Sequence, residues 1–419
     1  MKKKVLSVLL AAAMVFSLAA CGGSDGGSAG GDNTGGDTQQ EEPSGGDEGN
    51  ADANVDDGAA GGDEGGTTVS IPLDGTWPEE TVKIGMVEYD TTSEQFQAIE
   101  AYYDYLSQYF NIELMYSESL SDAEGELNFI NDCAAAGCVA IIGRYNESKE
   151  QAALAAAEQG MYYVGGFGGD SASYEKVKDN EYYLGAYTLG EGDYEAGRSL
   201  ALGLAEQGKE KVVLVSGGAS MGIPQFVNRK QGVLDGIEEA KANGSNIEIV
   251  YEVEGWPDSD AFAAAQTTVL DMDIDSIAST LDPFMWFQPI AQAGKADSVS
   301  IACIGEVSDT YYDAFNSGMV SCIVYDTPDT VFGSCIPMIL NAVTGNKLVN
   351  ADGSAIYFPV ERFTITDPEI FNKIYDMHEN DEYLVSAEDM ANLIVALNPD
   401  MTAEEFMKYY GSFNIDSVR

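Results

Sequence analysis

The sequence predicts an α/β protein built from two doubly wound parallel-sheet lobes. From Thr81 onward, short apolar runs alternate with stretches whose apolar residues recur every three or four positions, the signatures of buried strands and amphipathic helices. A βαβα order of this kind argues for parallel sheets covered by helices on both faces. About ten strands and roughly 340 ordered residues exceed what one core ordinarily supports, so two lobes are the economical arrangement.

The elements follow in order. Residues 82–87 read as a buried strand, and Phe96, Ile99, Tyr103, Leu106 and Phe110 then mark one face of a helix. Strands are expected at 112–116, 139–142 and 162–167, with helices at 123–136 and 148–159 between them; Gly168-Gly169 closes the third strand. A strand at 183–187 leads to a helix at 194–207, where the second lobe begins. There strands at 211–216, 247–253, 276–279, 300–305 and 322–325 alternate with helices at 225–240, 259–270 and 284–293. A helix follows at 330–343. The acidic stretch 367–419 reads as a helical extension, with Ser386 and Thr402 as helix caps, that packs on a lobe or serves a partner.

The N-terminus has a different character. Lys2, Lys3 and Lys4 precede an apolar stretch, 5–20, broken only by Ser7 and Ser17. It is short for a membrane span, which needs about 20 apolar residues, and it has the layout of a secretory signal peptide. Leu18-Ala19-Ala20-Cys21 resembles the bacterial lipobox, which implies a lipidated Cys21 at the mature N-terminus; the alternative is an ordinary signal peptide with an incidental cysteine. Residues 21–78 are rich in Gly, Asp and Glu and have almost nothing to bury, so they are expected to form a self-repelling tether.

The net charge of −50, from 70 acidic and 20 basic residues, opposes nucleic-acid binding, which depends on Lys and Arg neutralising phosphates. Six cysteines are present; setting Cys21 aside, Cys133, Cys138, Cys303, Cys322 and Cys335 are an odd number at irregular spacing, and are expected to be buried thiols rather than a disulfide framework. His378 is the only histidine, flanked by Met377 and Glu379 in the acidic tail, where a solvated helix end is expected. No metal-binding motif is present, and neither a metal nor a cofactor is expected. Gly165-Gly166-Phe167-Gly168-Gly169 fails the full dinucleotide fingerprint and reads instead as a loop where backbone can approach a ligand. An enzyme is therefore disfavoured. Trp256, Phe284, Trp286 and Phe287, with Tyr89, Phe96, Phe167 and Tyr194, fall near expected strand ends, where open parallel sheets bind ligands.

With these residues in view, the chain resembles the sugar-type (type I) periplasmic substrate-binding proteins of ABC importers over about residues 82–365. Val82-Lys83-Ile84-Gly85 is similar to the opening strand, and Phe96 to the aromatic that stacks on ligand. Asp193-Tyr194-Glu195-Ala196-Gly197 is similar to the family's D-N-x-x-G, and Arg229-Lys230-Gln231-Gly232 to its R-x-x-G. Trp256, Asp282 and Asp326-Thr327-Pro328 also fall in family order. Leu281 replaces an Asn, Phe167-Gly168 an Asp-Arg pair, Glu306-Val307 follows Gly305 where a ligand Asp is usual, and Asp326 replaces a Gln. A less polar, more aromatic pocket than a typical monosaccharide site is the expectation.

The resemblance implies a three-crossover hinge near 188–192, 321–326 and 345–355. Lobe 1 would comprise 79–190 and 326–350, and lobe 2 would comprise 191–325, with 351–366 closing the sheets. It also implies a ligand clamped by lobe closure. Phe96, Phe167, Tyr194, Arg229, Trp256, Asp282 and Asp326 are the expected ligand-binding residues, with Phe96 and Trp256 as the sandwich, and Arg229→Ala is expected to remove affinity at little cost to stability. The implied function is that of an extracytoplasmic, lipid-anchored, monomeric solute receptor for an ABC permease. Sensing on behalf of a signalling receptor, or binding of a nucleoside or amino-acid derivative, remains open.

Overall fold

The computed structural model describes residues 73–145, 149–166, 171–190, 192–257 and 259–418. The expected leader, Cys21 and most of the tether lie outside these residues, as do Phe167 and the glycines after it. Among the described residues no helix is long and apolar enough to cross a membrane.

Alternation along the strands builds the first lobe. In β1 (Val82–Val87), Val82, Ile84 and Met86 enter one core layer and Val87 the other; in β3 (Ala140–Gly143), Ala140 and Ile142 face the first layer and Ile141 the second. The remaining strands are β2 (Ile112–Tyr116), β4 (Tyr162–Gly165) and β5 (Tyr183–Thr188). The helices α1 (Glu94–Ser107), α2 (Ala123–Ala135), α3 (Lys149–Glu158) and α4 (Ser171–Val177) connect them. The second lobe runs α5 (Asp193–Glu206), β6 (Lys211–Gly217), α6 (Pro224–Ala242), β7 (Glu248–Glu254), α7 (Asp260–Asp271), β8 (Ser276–Ser279), α8 (Phe284–Gln292), β9 (Ser300–Ile304), α9 (Asp309–Asn316) and β10 (Val320–Tyr325). The chain then returns through α10 (Cys335–Val343) and β11 (Ile356–Pro359) to lobe 1, and crosses to β12 (Phe363–Ile365) in lobe 2. The sheets are ordered β11-β5-β4-β3-β1-β2 and β12-β10-β9-β8-β6-β7; every pairing is parallel except β10 with β12. This is the two-lobe, doubly wound architecture expected from the sequence.

Two sequence motifs have a packing role. A Cβ on Gly197 of α5 would lie 1.9 Å from the Arg229 carbonyl oxygen, and one on Gly232 of α6 would lie 1.9 Å from the Tyr194 carbonyl oxygen. Only glycine permits so close a helix crossing. The crossing sets the first turn of α5 beside the second turn of α6, and so brings Asp193 to Arg229.

Some expectations need correction. The third hinge passage lies between Pro359 and Phe363, not at 345–355. The latter segment stays in lobe 1 as a turn, in which the Asn350 amide donates to the Ser354 carbonyl and the Ala355 amide to that of Lys178. The helix expected from residue 330 begins at Cys335, because 327–334 is a turn in which the Asp329 carboxylate accepts from the Thr330 amide. The tail adds helices α11 (Pro368–Glu379), α12 (Ala387–Asn392) and α13 (Ala403–Tyr410) and packs on both lobes. Phe371 and Ile374 enter the lobe 2 core; Val385, Leu393, Ile394, Phe406 and Tyr410 enter that of lobe 1; Val418 returns to lobe 2. His378 is not a solvated helix end. It is half-buried beside Tyr325 and Tyr383, and burial depresses its pKa to about 4. The five described cysteines are free and buried, as expected.

Candidate functional site

Parallel sheets leave the carboxyl ends of their strands open, and here both sheets present those ends to one cleft of about 890 Å³. Lobe 1 contributes Tyr89–Asp90, the start of α1, Tyr187, Phe332 and Tyr357. Lobe 2 contributes the start of α6, Trp256, Leu281–Met285 and Ile304–Glu306.

The lobe 1 wall is set by a buried ion pair. Glu88 and Arg144 follow β1 and β3 and are almost wholly buried; Arg144 Nε donates to Glu88 Oε2 at 2.7 Å. Glu88 Oε1 accepts from the backbone amides of Tyr89 at 2.9 Å and Asp90 at 3.2 Å. Arg144 Nη2 donates to Gln95 Oε1 at 3.0 Å, and the guanidinium lies 4.5 Å from the centroid of the Phe332 ring. A buried charge is tolerated only when paired and hydrogen-bonded, and this pair uses that requirement to hold the loop into α1.

The lobe 2 wall carries Arg229, 12 % exposed. Its Nε donates to Asp193 Oδ1 at 2.8 Å and its Nη1 to the Thr280 carbonyl at 2.9 Å, and Gln225 turns its amide oxygen to the same guanidinium. Trp256, 36 % exposed, stands edge-on to Phe226 with centroids 5.2 Å apart. Asp282 accepts from the Tyr311 hydroxyl at 3.1 Å. Enclosure by protein raises its carboxyl above the ordinary range although cleft water still reaches it.

At the hinge, Arg362 Nε donates to Asp326 Oδ1 at 2.6 Å and its Nη1 to the Gly192 carbonyl at 2.5 Å. Across the cleft mouth, Gln95 Nε2 reaches Glu306 Oε1 at 3.4 Å, and Glu94 accepts from the hydroxyls of Ser308, at 2.9 Å, and Thr310. Glu306 is 9 % exposed. Burial, then Asp326, Asp282 and Glu94, hold its carboxyl well above the ordinary range.

Of the residues singled out from sequence, Tyr89, Arg229, Trp256, Asp282, Phe284 and Asp326 line the cleft, whereas Trp286 is buried in the lobe 2 core. Phe96 does not: it is 4 % exposed, edge-on to Tyr116 in the lobe 1 core, because the α1 face it belongs to packs on the sheet. Tyr194 also lies elsewhere, on the α5–α6 face, where its hydroxyl donates to Asp235 at 3.1 Å. Phe167 is outside the described residues. The sequence reading missed Arg362, Gln95 and the Glu88–Arg144 pair. Only Arg362 left a local signal, as the one basic residue between Lys347 and Lys373.

No family model and no curated protein matches the chain. Solved structures do. An ABC transporter solute-binding protein from Bacillus halodurans C-125, with bound myo-inositol, is 15% identical with a TM-score of 0.54; the match covers 72% of this chain and 99% of that one. A periplasmic solute-binding protein from Actinobacillus succinogenes 130z, with bound D-allose, is 17% identical with a TM-score of 0.53, covering 71% and 99%. The arabinose-transporter binding protein from Shewanella sp. ANA-3, bound to L-arabinofuranose, is 17% identical with a TM-score of 0.52, covering 72% and 96%. The chain therefore has the two-lobe periplasmic-binding-protein fold.

Proposed function

We propose that the protein is an extracytoplasmic solute-binding component of an ABC importer that captures a small sugar or sugar-like molecule by closing two lobes over it. One observation carries this reading: a cleft of about 890 Å³ at the carboxyl ends of both sheets, lined from both lobes by exposed aromatic rings and by ion pairs already fixed in place. A solute held there touches Tyr89 and Tyr357 on one side and Trp256 and Phe284 on the other only when the lobes approach, so its binding favours the closed form. Flat rings suit the apolar face of a sugar ring, and carboxylates suit its hydroxyls. The fold shared with proteins that hold myo-inositol, D-allose and L-arabinofuranose supports the same solute class.

Binding rather than catalysis fits the side chains available. The single histidine packs between Tyr325 and Tyr383, and the ion-paired residues of the cleft are committed to structural partners. The leader, a lipidated Cys21 and the acidic tether would hold a monomeric receptor at the outer face of the cell membrane, within reach of its permease. Mass spectrometry of small molecules released from the purified protein tests the reading, followed by thermal melts with the compound found. Ligand at a hundred times Kd stabilises by about 2.7 kcal/mol. An empty protein whose melting point no sugar, cyclitol or nucleoside raises would end it.

A further inference from the structure

The charge on the cleft walls narrows the solute, provided the binding reading above holds. Among the described lining residues, six carboxylates (Asp90, Glu94, Asp193, Asp282, Glu306 and Asp326) face three cations (Lys149, Arg229 and Arg362). Two of those cations are spent: Arg229 on Asp193, and Arg362 on Asp326. Even with Lys149 counted in full, the described wall has three more carboxyl groups than cations, and burial together with that crowding disfavours the ionised form of Glu306.

The excess is concentrated. The Tyr311 hydroxyl donates to Asp282 and also closes on the end of β9, where a Cβ on Gly305 would lie 2.6 Å from it; Asp282 and Glu306 therefore flank one ring on one wall. Phe284, 37 % exposed, lies 5.1 Å from the same ring, centroid to centroid. Glu306 Oε1 has Gln95, but the buried Oε2 has no hydrogen-bond partner. A buried carboxylate oxygen without a donor is costly. Its surroundings of Asp282, Asp326 and Glu94 make the missing donor a positive one.

We propose that the solute carries a protonated amine, which sits on the Asp282–Glu306 wall beside Phe284, so that the protein takes an amine-bearing polyol such as an amino sugar in preference to its neutral counterpart. An ammonium group supplies three donors in one compact charge. One serves the Glu306 carboxyl and a second serves Asp282, both as charge-assisted bonds, while the aromatic rings favour the cation. A hydroxyl in the same place donates once and brings no positive charge to the crowded carboxyls. Anionic solutes are disfavoured by the same wall.

Titration calorimetry on the full chain with matched pairs decides this: D-glucose with D-glucosamine, D-galactose with D-galactosamine, D-mannose with D-mannosamine, and D-allose with its 2-amino analogue. In at least one pair the amine is expected to bind at least about tenfold tighter, the scale of one added charge-assisted bond. Glu306→Gln is expected to erase that preference while leaving the melting point of the unliganded protein unchanged or higher, and Asp282→Asn should do the same if the first variant does not fold. Neutral sugars binding as well as or better than their amines would overturn the inference and leave the solute-binding reading standing. An amine preference that survives both substitutions, or no binding by any amine, also overturns it. In the last case the compound that co-purifies separately decides whether the protein is a solute receptor.

Discussion

Arg362 and Asp326 form a fork across the hinge, with Nε to Oδ1 at 2.6 Å and Nη2 to Oδ2 at 3.4 Å. Arg362 belongs to the β11–β12 passage and Asp326 to the β10–α10 passage, and the third donor of Arg362 ends on Gly192 in the β5–α5 passage. One guanidinium thus ties together all three passages between the sheets. Arg362→Met leaves Asp326 buried without its partner, and is expected to cost about 3 kcal/mol in urea unfolding. The double variant Arg362→Met/Asp326→Asn should recover part of that loss. Equal losses in the single and double variants would mean that the fork adds nothing specific.

Arg229 has more structural work than its motif suggested. It holds Asp193 and the Thr280 carbonyl, and so joins the α5–α6 crossing to the end of β8. Arg229→Ala is therefore expected to lower the stability of the unliganded protein by about 1–3 kcal/mol in addition to weakening binding, because Asp193 loses a charged partner. A variant with unchanged melting point and lost affinity would return Arg229 to a purely ligand-facing role.

Phe96 and Trp256 separate core from cleft. Phe96→Ala removes a buried ring from lobe 1, and should cost about 3–5 kcal/mol while leaving the dissociation constant of the folded protein unchanged. Trp256→Ala removes a ring that already meets water, and should change stability by less than about 1 kcal/mol while weakening binding at least about tenfold. Calorimetry and denaturant melts on both variants check this; the opposite pattern would exchange their assignments.

The burial of His378 predicts a contribution to stability that is lost in acid. Its folded pKa, about 4, lies below its ordinary value because burial disfavours the charged ring. A group depressed in this way contributes stability that is present above an unfolded pKa of about 6.5 and lost as pH falls from there toward 4. Between pH 7 and pH 5 the wild type should lose about 2 kcal/mol more than His378→Gln, by the same linkage. Parallel stability–pH curves for the two proteins would place the histidine in water.

Much of the fold was legible because it is local. Period-two and period-3.6 patterns mark β1 through α6, and the motifs around Gly197 and Gly232 mark a crossing that only glycine allows. β11 and β12 are too short to show a period, and so the third passage was misplaced. The site was legible where a cleft residue lies in a family-like motif, as Arg229 and Asp282 do, or where an aromatic falls near an expected strand end, as Tyr89 and Phe284 do. Glu88 with Arg144, and Asp326 with Arg362, are pairings over tens of residues that appear only after the sheets form. The helical stripe of Phe96, Ile99, Tyr103 and Leu106 marked the core face correctly, and it was the resemblance that carried a ligand-stacking role onto Phe96. The same periodicity hid the split of the tail between two cores, since α11 and α13 each carry an ordinary amphipathic face.

The central claim is that two lobes close on a small molecule. It is tested most directly by the distance between spin labels placed at exposed positions on the two lobes, Glu118→Cys and Asp260→Cys, with and without the co-purified solute. Closure predicts that the distance distribution shortens and narrows when the solute is added, and that Trp256→Ala weakens the response. A distribution that stays the same with solute bound would contradict the account.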